Sequence, residues 1–149
     1  MPIHDHENNY DEIIPNLFLG NYLASKNKYF IKKKNIKGII NVTIKIPNYL
    51  KKIDYLRIPV ENKKKYINIF KNNLENIVPF VDKYLDKNKG ILIHCKSGHR
   101  RSVCVVAYYL MKKYNIELDV ILKYIKKKRP TIFDKRWKVY FYDTLKEHN

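Results

Sequence analysis

The chain has 149 residues, with 31 Lys+Arg against 14 Asp+Glu, a formal charge of +17, 45% hydrophobic and 13% aromatic residues. Apolar residues recur along its whole length and Gly and Pro are few, which excludes intrinsic disorder and fits one domain with its own core. The basic balance favours phosphate-rich partners such as nucleic acid, inositol phosphates, anionic lipid or phosphoproteins; a compositional bias towards Lys, Asn, Ile and Tyr accounts for it equally well.

No apolar run reaches the ~18 residues of a membrane span. The start, MPIHDHENNY, lacks the basic and apolar regions of a signal peptide, so a cytoplasmic or nuclear chain is expected. The two cysteines, Cys95 and Cys104, are too few for a disulfide framework and lack C-x-x-C spacing. In chain order, polar residues 1–10 read as a disordered tail ahead of a domain over 11–149. Ile13, Ile14, Leu17, Phe18 and Leu19, around Pro15, predict two short edge strands ending at Gly20. A short helix over roughly 24–34 precedes the β-branched run Gly38–Thr43, a buried strand, and Ile53–Val60 reads as another. From Ile67, apolar residues at Phe70, Leu74, Ile77, Val78, Val81, Tyr84 and Leu85 have helical spacing, with a kink or break expected at Pro79. Gly90–His94 is a short apolar strand, and helices are expected over Ser102–Tyr114, Leu118–Lys128 and, beyond Pro130, about Lys135–Lys146. This alternation predicts a single α/β domain whose central, mainly parallel sheet is flanked by helices.

The chemistry lies in His94-Cys95-Lys96-Ser97-Gly98-His99-Arg100-Arg101-Ser102, between a predicted strand and a predicted helix. A chain turning from strand to helix in so few residues must curl. Gly98 permits a backbone conformation that side chains forbid, so successive N–H groups from Lys96 to Arg101 can converge on an anion at the helix N-terminus. The same field lowers the Cys95 pKa from about 8.5 towards the ~3.5–7.5 of reactive cysteines. Arg101 can fold back and grip two phosphate oxygens in a bidentate fork that lysine could not match. Thiolate, amide cradle and guanidinium fit in-line attack of sulfur on phosphorus through a phosphocysteine. A zinc site at His94, Cys95 and His99 would lack a fourth ligand, so no metal or other cofactor is expected.

This nonapeptide resembles the H-C-x5-R-[ST] loop of the cysteine-based protein phosphatases, in the small dual-specificity branch. The likeness spans about residues 11–147: Asn16–Asn21 looks like that family's opening segment, Ile40–Thr43 like its strand before the substrate-side loop, Tyr55–Val60 like the strand leading to its acid loop, and Lys128-Arg129-Pro130 like its late turn. The resemblance implies that Cys95 is the nucleophile, Arg101 the phosphate clamp and Ser102 the hydroxyl that helps the thiolate leave. It implies that His94 orients the loop and tunes the thiol, and that Asn41 braces the loop, although a purely structural Asn41 fits equally.

One departure concerns the general acid. Family members usually carry an aspartate about two residues after the Ile-Pro-Val stretch, whereas Ile58-Pro59-Val60 is followed here by Glu61 and Asn62. An amide supplies no proton, and losing a general acid costs about 10²–10⁴ in rate. Glu61 swings into the role, the substrate carries a good leaving group, or the protein is a catalytically weak phosphate-binding scaffold. Asp134, after the Pro130 turn, is the next candidate donor.

Elsewhere, Cys104 in an apolar run reads as a buried small hydrophobe. His4, His6 and His148 sit in polar termini and are expected to be exposed. The runs Lys32–Lys34 and Lys126–Lys128 read as solvated faces, while Lys63–Lys65, after the acid position, is expected at the pocket mouth. Lys96, His99 and Arg100 add charge that keeps polyanions open as substrates: phosphoinositide, inositol phosphate or RNA 5′ triphosphate. The resemblance favours phosphotyrosine and phosphoserine/threonine proteins.

Overall fold

The computed structural model describes residues 8–134 and 138–149. β1 (Tyr10–Ile14) and β2 (Leu17–Gly20) form an antiparallel hairpin. Its turn is closed by Asn16 at φ 72°, the left-handed conformation that short polar side chains tolerate. β2 then pairs in parallel with β5 (Gly90–His94), β5 with β3 (Ile36–Asn41) and β3 with β4 (Asp54–Arg57), giving the order β1-β2-β5-β3-β4. The central, mainly parallel sheet is therefore as the sequence predicts. All five residues of β5 are buried, the signature of a parallel strand covered on both faces.

One face of the sheet packs Phe18, Ile39 and Leu92 against Ala24 of α1 (Tyr22–Ser25) and Phe30 and Ile31 of α2 (Lys28–Lys33). The other packs Leu17, Leu19, Ile40, Ile91 and Ile93 beneath α3 (Ile67–Leu85), α4 (Arg101–Tyr114), α5 (Leu118–Lys128) and α6 (Tyr142–Lys146). Odd and even positions of β2 and β5 divide between the two cores, as the period of two demands, while in β3 an irregularity between Ile36 and Gly38 puts Ile36 on the same side as Ile39.

Several elements differ from expectation. The helix predicted over 24–34 is two helices, because the Asn27 side chain accepts from Phe30 N and caps a fresh start. β2 is an interior strand rather than an edge. β4 ends at Arg57, since Pro59 has no N–H to continue a ladder. α3 runs through Pro79 without interruption: burial of Phe70, Leu74, Ile77, Val81 and Tyr84 on its inner face outweighs one missing hydrogen bond. The fold also starts before residue 11. Asn9 O accepts from Asn21 N at 2.9 Å and Tyr10 opens β1, while residues 1–7, with His4 and His6, lie outside the described residues.

The helix expected over 135–146 contracts to Tyr142–Lys146, residues 135–137 lying outside the described residues. The Asn62 amide explains part of this, since it donates to Lys138 O at 2.7 Å and accepts from Tyr140 N at 3.2 Å, taking backbone groups a helix would use. His148 is not free in solvent as expected. Its ring stands edge-on to Tyr108 at 5.3 Å.

Candidate active site

β5 delivers Cys95 to the carboxyl end of the central strand, and α4 begins at Arg101, leaving residues 95–100 to turn between them. Gly98 takes φ 76°, and a Cβ there would stand 2.7 Å from the Gly20 carbonyl and 2.8 Å from Arg129 Nη2. Both the conformation and the space demand glycine.

Every carbonyl of the turn is hydrogen-bonded, those of Cys95 to His99 by groups outside the turn and that of Arg100 within the first turn of α4. Cys95 O accepts from His94 Nδ1 at 3.0 Å, Lys96 O from Tyr22 N at 3.1 Å, and Ser97 O and Gly98 O from Arg129 Nη2 and Nε at 3.2 and 2.9 Å. His99 O accepts from Phe133 N and Arg100 O from Cys104 N, each at 3.0 Å. With the carbonyls anchored outward, the N–H groups of the same peptides are left to converge on the opposite side, a nest for an anion at the start of α4.

Cys95 is 2% exposed. Its Sγ accepts from Gly98 N at 3.3 Å and lies 3.1 Å from Ser102 Oγ. Burial pushes the thiol pKa up, but the Arg101 guanidinium, the Ser102 hydroxyl and the Ser102 and Gly98 amides more than offset it, so the net shift is downward. His94 is buried and its pKa falls to about 4, chiefly through burial. It is neutral near pH 7, and because a carbonyl can only accept, the Nδ1 proton points at Cys95 O.

Arg101 Nη1 donates to Val60 O at 2.9 Å, so the guanidinium reaches back over the loop towards the segment after β4. Lys96 and Arg101 separate two cavities. A larger one of about 470 Å³ is walled by Asn21, Tyr22, His99 and Arg100; a smaller one of about 210 Å³ by Thr43, Lys45 and Glu61. Glu61 also pairs with Lys63 Nζ at 3.3 Å, and this contact, with the nearby Lys45 and Arg101 charges, lowers its pKa. Of the run Lys63–Lys65 expected at the pocket mouth, only Lys63 reaches it, through its pair with Glu61, while Lys64 lines a separate cavity with Lys71 and Lys138.

The structure brings His94, Cys95, Arg101 and Ser102 together, with Glu61 across the smaller cavity. Asn62 is not: its amide is spent on Lys138 and Tyr140. Asn41 does not brace the 95–100 turn either. Its amide donates to Ile46 O and Asn48 Oδ1 at 2.8 and 2.9 Å and its oxygen accepts from Thr43 Oγ1, shaping the loop that walls the smaller cavity. Cys104 lies in the core, its thiol pKa pushed up by burial. Asp134 follows Phe133, whose amide holds His99 O, so it sits beside the turn.

Sequence reasoning gave no role to Arg129. It is 1% exposed, and besides holding Ser97 O and Gly98 O it donates through Nη1 to Asn8 O at 2.7 Å and pairs with Asp11 at 2.8 Å. An arginine ending a helix just before Pro130 was the available signal. Among the described residues no cluster of three His, Cys, Asp or Glu side chains is placed to hold a metal, and no helix is long and apolar enough to cross a membrane.

The family described as "dual specificity phosphatase, catalytic domain" matches residues 17–147. Human dual specificity protein phosphatase 9 is 34% identical over 128 residues, covering 81% of this chain and 32% of the human protein. A probable dual specificity protein phosphatase of Dictyostelium discoideum is 34% identical over 140 residues, covering 86% of this chain and 59% of its own length. The chain thus spans about a third to three-fifths of these two relatives. In structure it resembles DUSP15, with TM-score 0.84, 26% identity, and coverage of 94% of this chain and 87% of that one.

Proposed function

The chain belongs to the dual specificity phosphatase catalytic-domain family, and from that premise we propose that it hydrolyses phosphate monoesters of phosphotyrosine and phosphoserine/threonine in proteins through a phosphocysteine at Cys95. The observation that carries this reading is the turn itself, with the carbonyls from Cys95 to His99 bonded to groups outside it around a buried thiol of lowered pKa. Such a cradle fits a tetrahedral dianion, and it is preorganised before the phosphate arrives.

The Cys95 thiolate attacks phosphorus in line. The S–P bond forms as the bond from phosphorus to the ester oxygen breaks, and the freed oxygen takes a proton from solvent water. Amides from Lys96 to Arg101 hold the three equatorial oxygens, and Arg101 exchanges the Val60 carbonyl for two of them in a bidentate fork. Water then attacks phosphorus, the S–P bond breaks, inorganic phosphate leaves, and the Ser102 hydroxyl donates to the returning thiolate. His94 acts by holding the Cys95 carbonyl rather than by moving protons.

Glu61 is ionised and paired with Lys63, and Asn62 is engaged elsewhere, so neither is poised to protonate the leaving oxygen. Substrates with low-pKa leaving groups are then favoured, phosphotyrosine over phosphoserine. A cytoplasmic or nuclear setting, where thiols stay reduced, suits a mechanism that needs free Cys95. The test is phosphate release across phosphopeptides, inositol phosphates, lipid phosphates and triphosphate RNA, with Cys95→Ser as blank. Phosphotyrosine peptides are expected to give the highest kcat/KM. A higher value on one of the polyanions would overturn the substrate class, and release from none of them would overturn the activity.

A further inference from the structure

Away from the cradle, α2, the start of β3 and residues 49–53 enclose a second cavity of about 720 Å³. Its wall carries Lys28, Lys32, Lys37, Lys51 and Lys52 and no carboxylate or arginine. All five lysines are exposed, and among the described residues none has a carboxylate within ion-pair distance. Asp54, next along the chain, is engaged with Lys83 and Tyr84 of α3. The floor differs from the rim: Ile31 and Ile36 are buried, and Leu50 and Ile53 half-buried.

From this juxtaposition of an apolar floor and an unneutralised lysine rim, we propose that the groove is a docking site for an acidic, extended polypeptide segment with interspersed apolar side chains. Charge complementarity selects the occupant. Five ammonium groups packed at one cavity repel each other, and carboxylates relieve that repulsion while apolar side chains cover the isoleucines. Against a nucleic acid, the aromatic ring of the wall, Tyr49, has the Lys26 ammonium 5.6 Å from its centroid instead of a base-stacking role. A depressed groove also suits a chain better than a flat lipid surface does.

The groove lies at the Ile36 end of β3, whereas Asn41 at the other end pairs with His94 beside the cradle. Five residue steps at about 3.3 Å put the two roughly 16 Å apart along the strand. An extended substrate chain crosses that distance in about five residues or more. Where the segment belongs to a phosphorylated substrate, a point that rests on the function proposed above, docking raises the effective concentration of the phosphosite at Cys95.

The test is fluorescence anisotropy with the unphosphorylated peptide Glu-Asp-Leu-Glu-Ile-Glu-Asp-Glu, dye-labelled, against three forms of the full chain. These are wild type, the groove variant K28Q/K32Q/K37Q/K51Q/K52Q, and a charge-matched control, K87Q/K112Q/K123Q/K127Q/K146Q. Wild type and control are expected to bind alike, the groove variant at least about tenfold more weakly, with binding falling as salt rises. All three forms are expected to release phosphate from p-nitrophenyl phosphate at rates within about twofold of one another, which shows the groove variant is folded. Equal loss in both variants would mean a diffuse charge effect and overturn the site. Displacement of the peptide by inorganic phosphate would place it in the cradle instead, and tighter groove-dependent binding of single-stranded RNA or of phosphatidylserine vesicles would overturn the polypeptide assignment. Because the probe carries no phosphate, a failure here is separate from a failure of the phosphatase reading.

Discussion

Replacing Arg129 with methionine keeps most of the side-chain volume and removes the charge that ties the turn to the rest of the fold. Four contacts go: Gly98 O at 2.9 Å, Ser97 O at 3.2 Å, Asn8 O at 2.7 Å and Asp11 at 2.8 Å. Removing one partner of a buried ion pair costs about 3–5 kcal/mol, and the Asp11 side chain is still 17% exposed, which argues for the lower half of that range. Orphaned carbonyls of Ser97 and Gly98 add about 1 kcal/mol each where they stay dry. Together these come to about 3–6 kcal/mol, and for a chain of this length each kcal/mol moves Tm by about 2–4 °C, so differential scanning calorimetry is expected to show a drop of roughly 6–24 °C. Below that Tm, the folded variant is expected to bind vanadate at least about tenfold more weakly, because the Ser97 and Gly98 peptides are free to rotate. Arg129→Lys is expected to regain stability through Asp11 but not vanadate affinity, since one ammonium cannot serve both carbonyls. A Tm change under about 3 °C together with unchanged vanadate binding would refute the claim that Arg129 holds the turn.

Arg101→Lys is expected to lose roughly 2–4 kcal/mol of transition-state stabilisation in kcat/KM, and Arg100→Ala far less; equal losses would mean the wrong arginine has been assigned. Asn62→Ala removes the tie to Lys138 and Tyr140 and is expected to lower Tm while leaving the dependence of kcat on leaving-group pKa unchanged. A flattened or steepened dependence would return Asn62 to the proton-transfer step. His94, neutral in the fold with pKa about 4 against about 6.5 unfolded, contributes stability that is complete above pH ~6.5 and is lost as pH falls through ~4. The contribution approaches about 3 kcal/mol at 1.36 kcal/mol per pKa unit, and His94→Gln is expected to flatten urea-unfolding stability between those pH values. An unchanged pH slope would contradict a buried neutral imidazole.

The cradle was legible because its chemistry is local. Cys95, Gly98, Arg101 and Ser102 fall within eight consecutive positions, and the run Gly90–His94 could only be a buried strand. What holds the cradle is not local: Arg129 lies 31 residues from Gly98, and the Asn62 tie to Lys138 spans 76. No periodicity reports such pairs. The acid position misled for the same reason, since counting from Ile58-Pro59-Val60 locates Asn62 along the chain but not the direction its amide turns. The break between α1 and α2 was missed although Asn27 is a favoured cap, because apolar residues on both sides suggested one helix. Lys138–Tyr140 show the reverse case, where a distant side chain overrides local helical preference.

Covalent capture tests the central claim most directly. Wild-type protein mixed with a ³²P-phosphotyrosine peptide for less than one turnover, then rapidly quenched and digested, is expected to carry label on the peptide containing Cys95. Cys95→Ser is expected to bind the same peptide and carry none. Label on any other residue, or phosphate release by Cys95→Ser at a rate near wild type, would contradict catalysis through this cysteine.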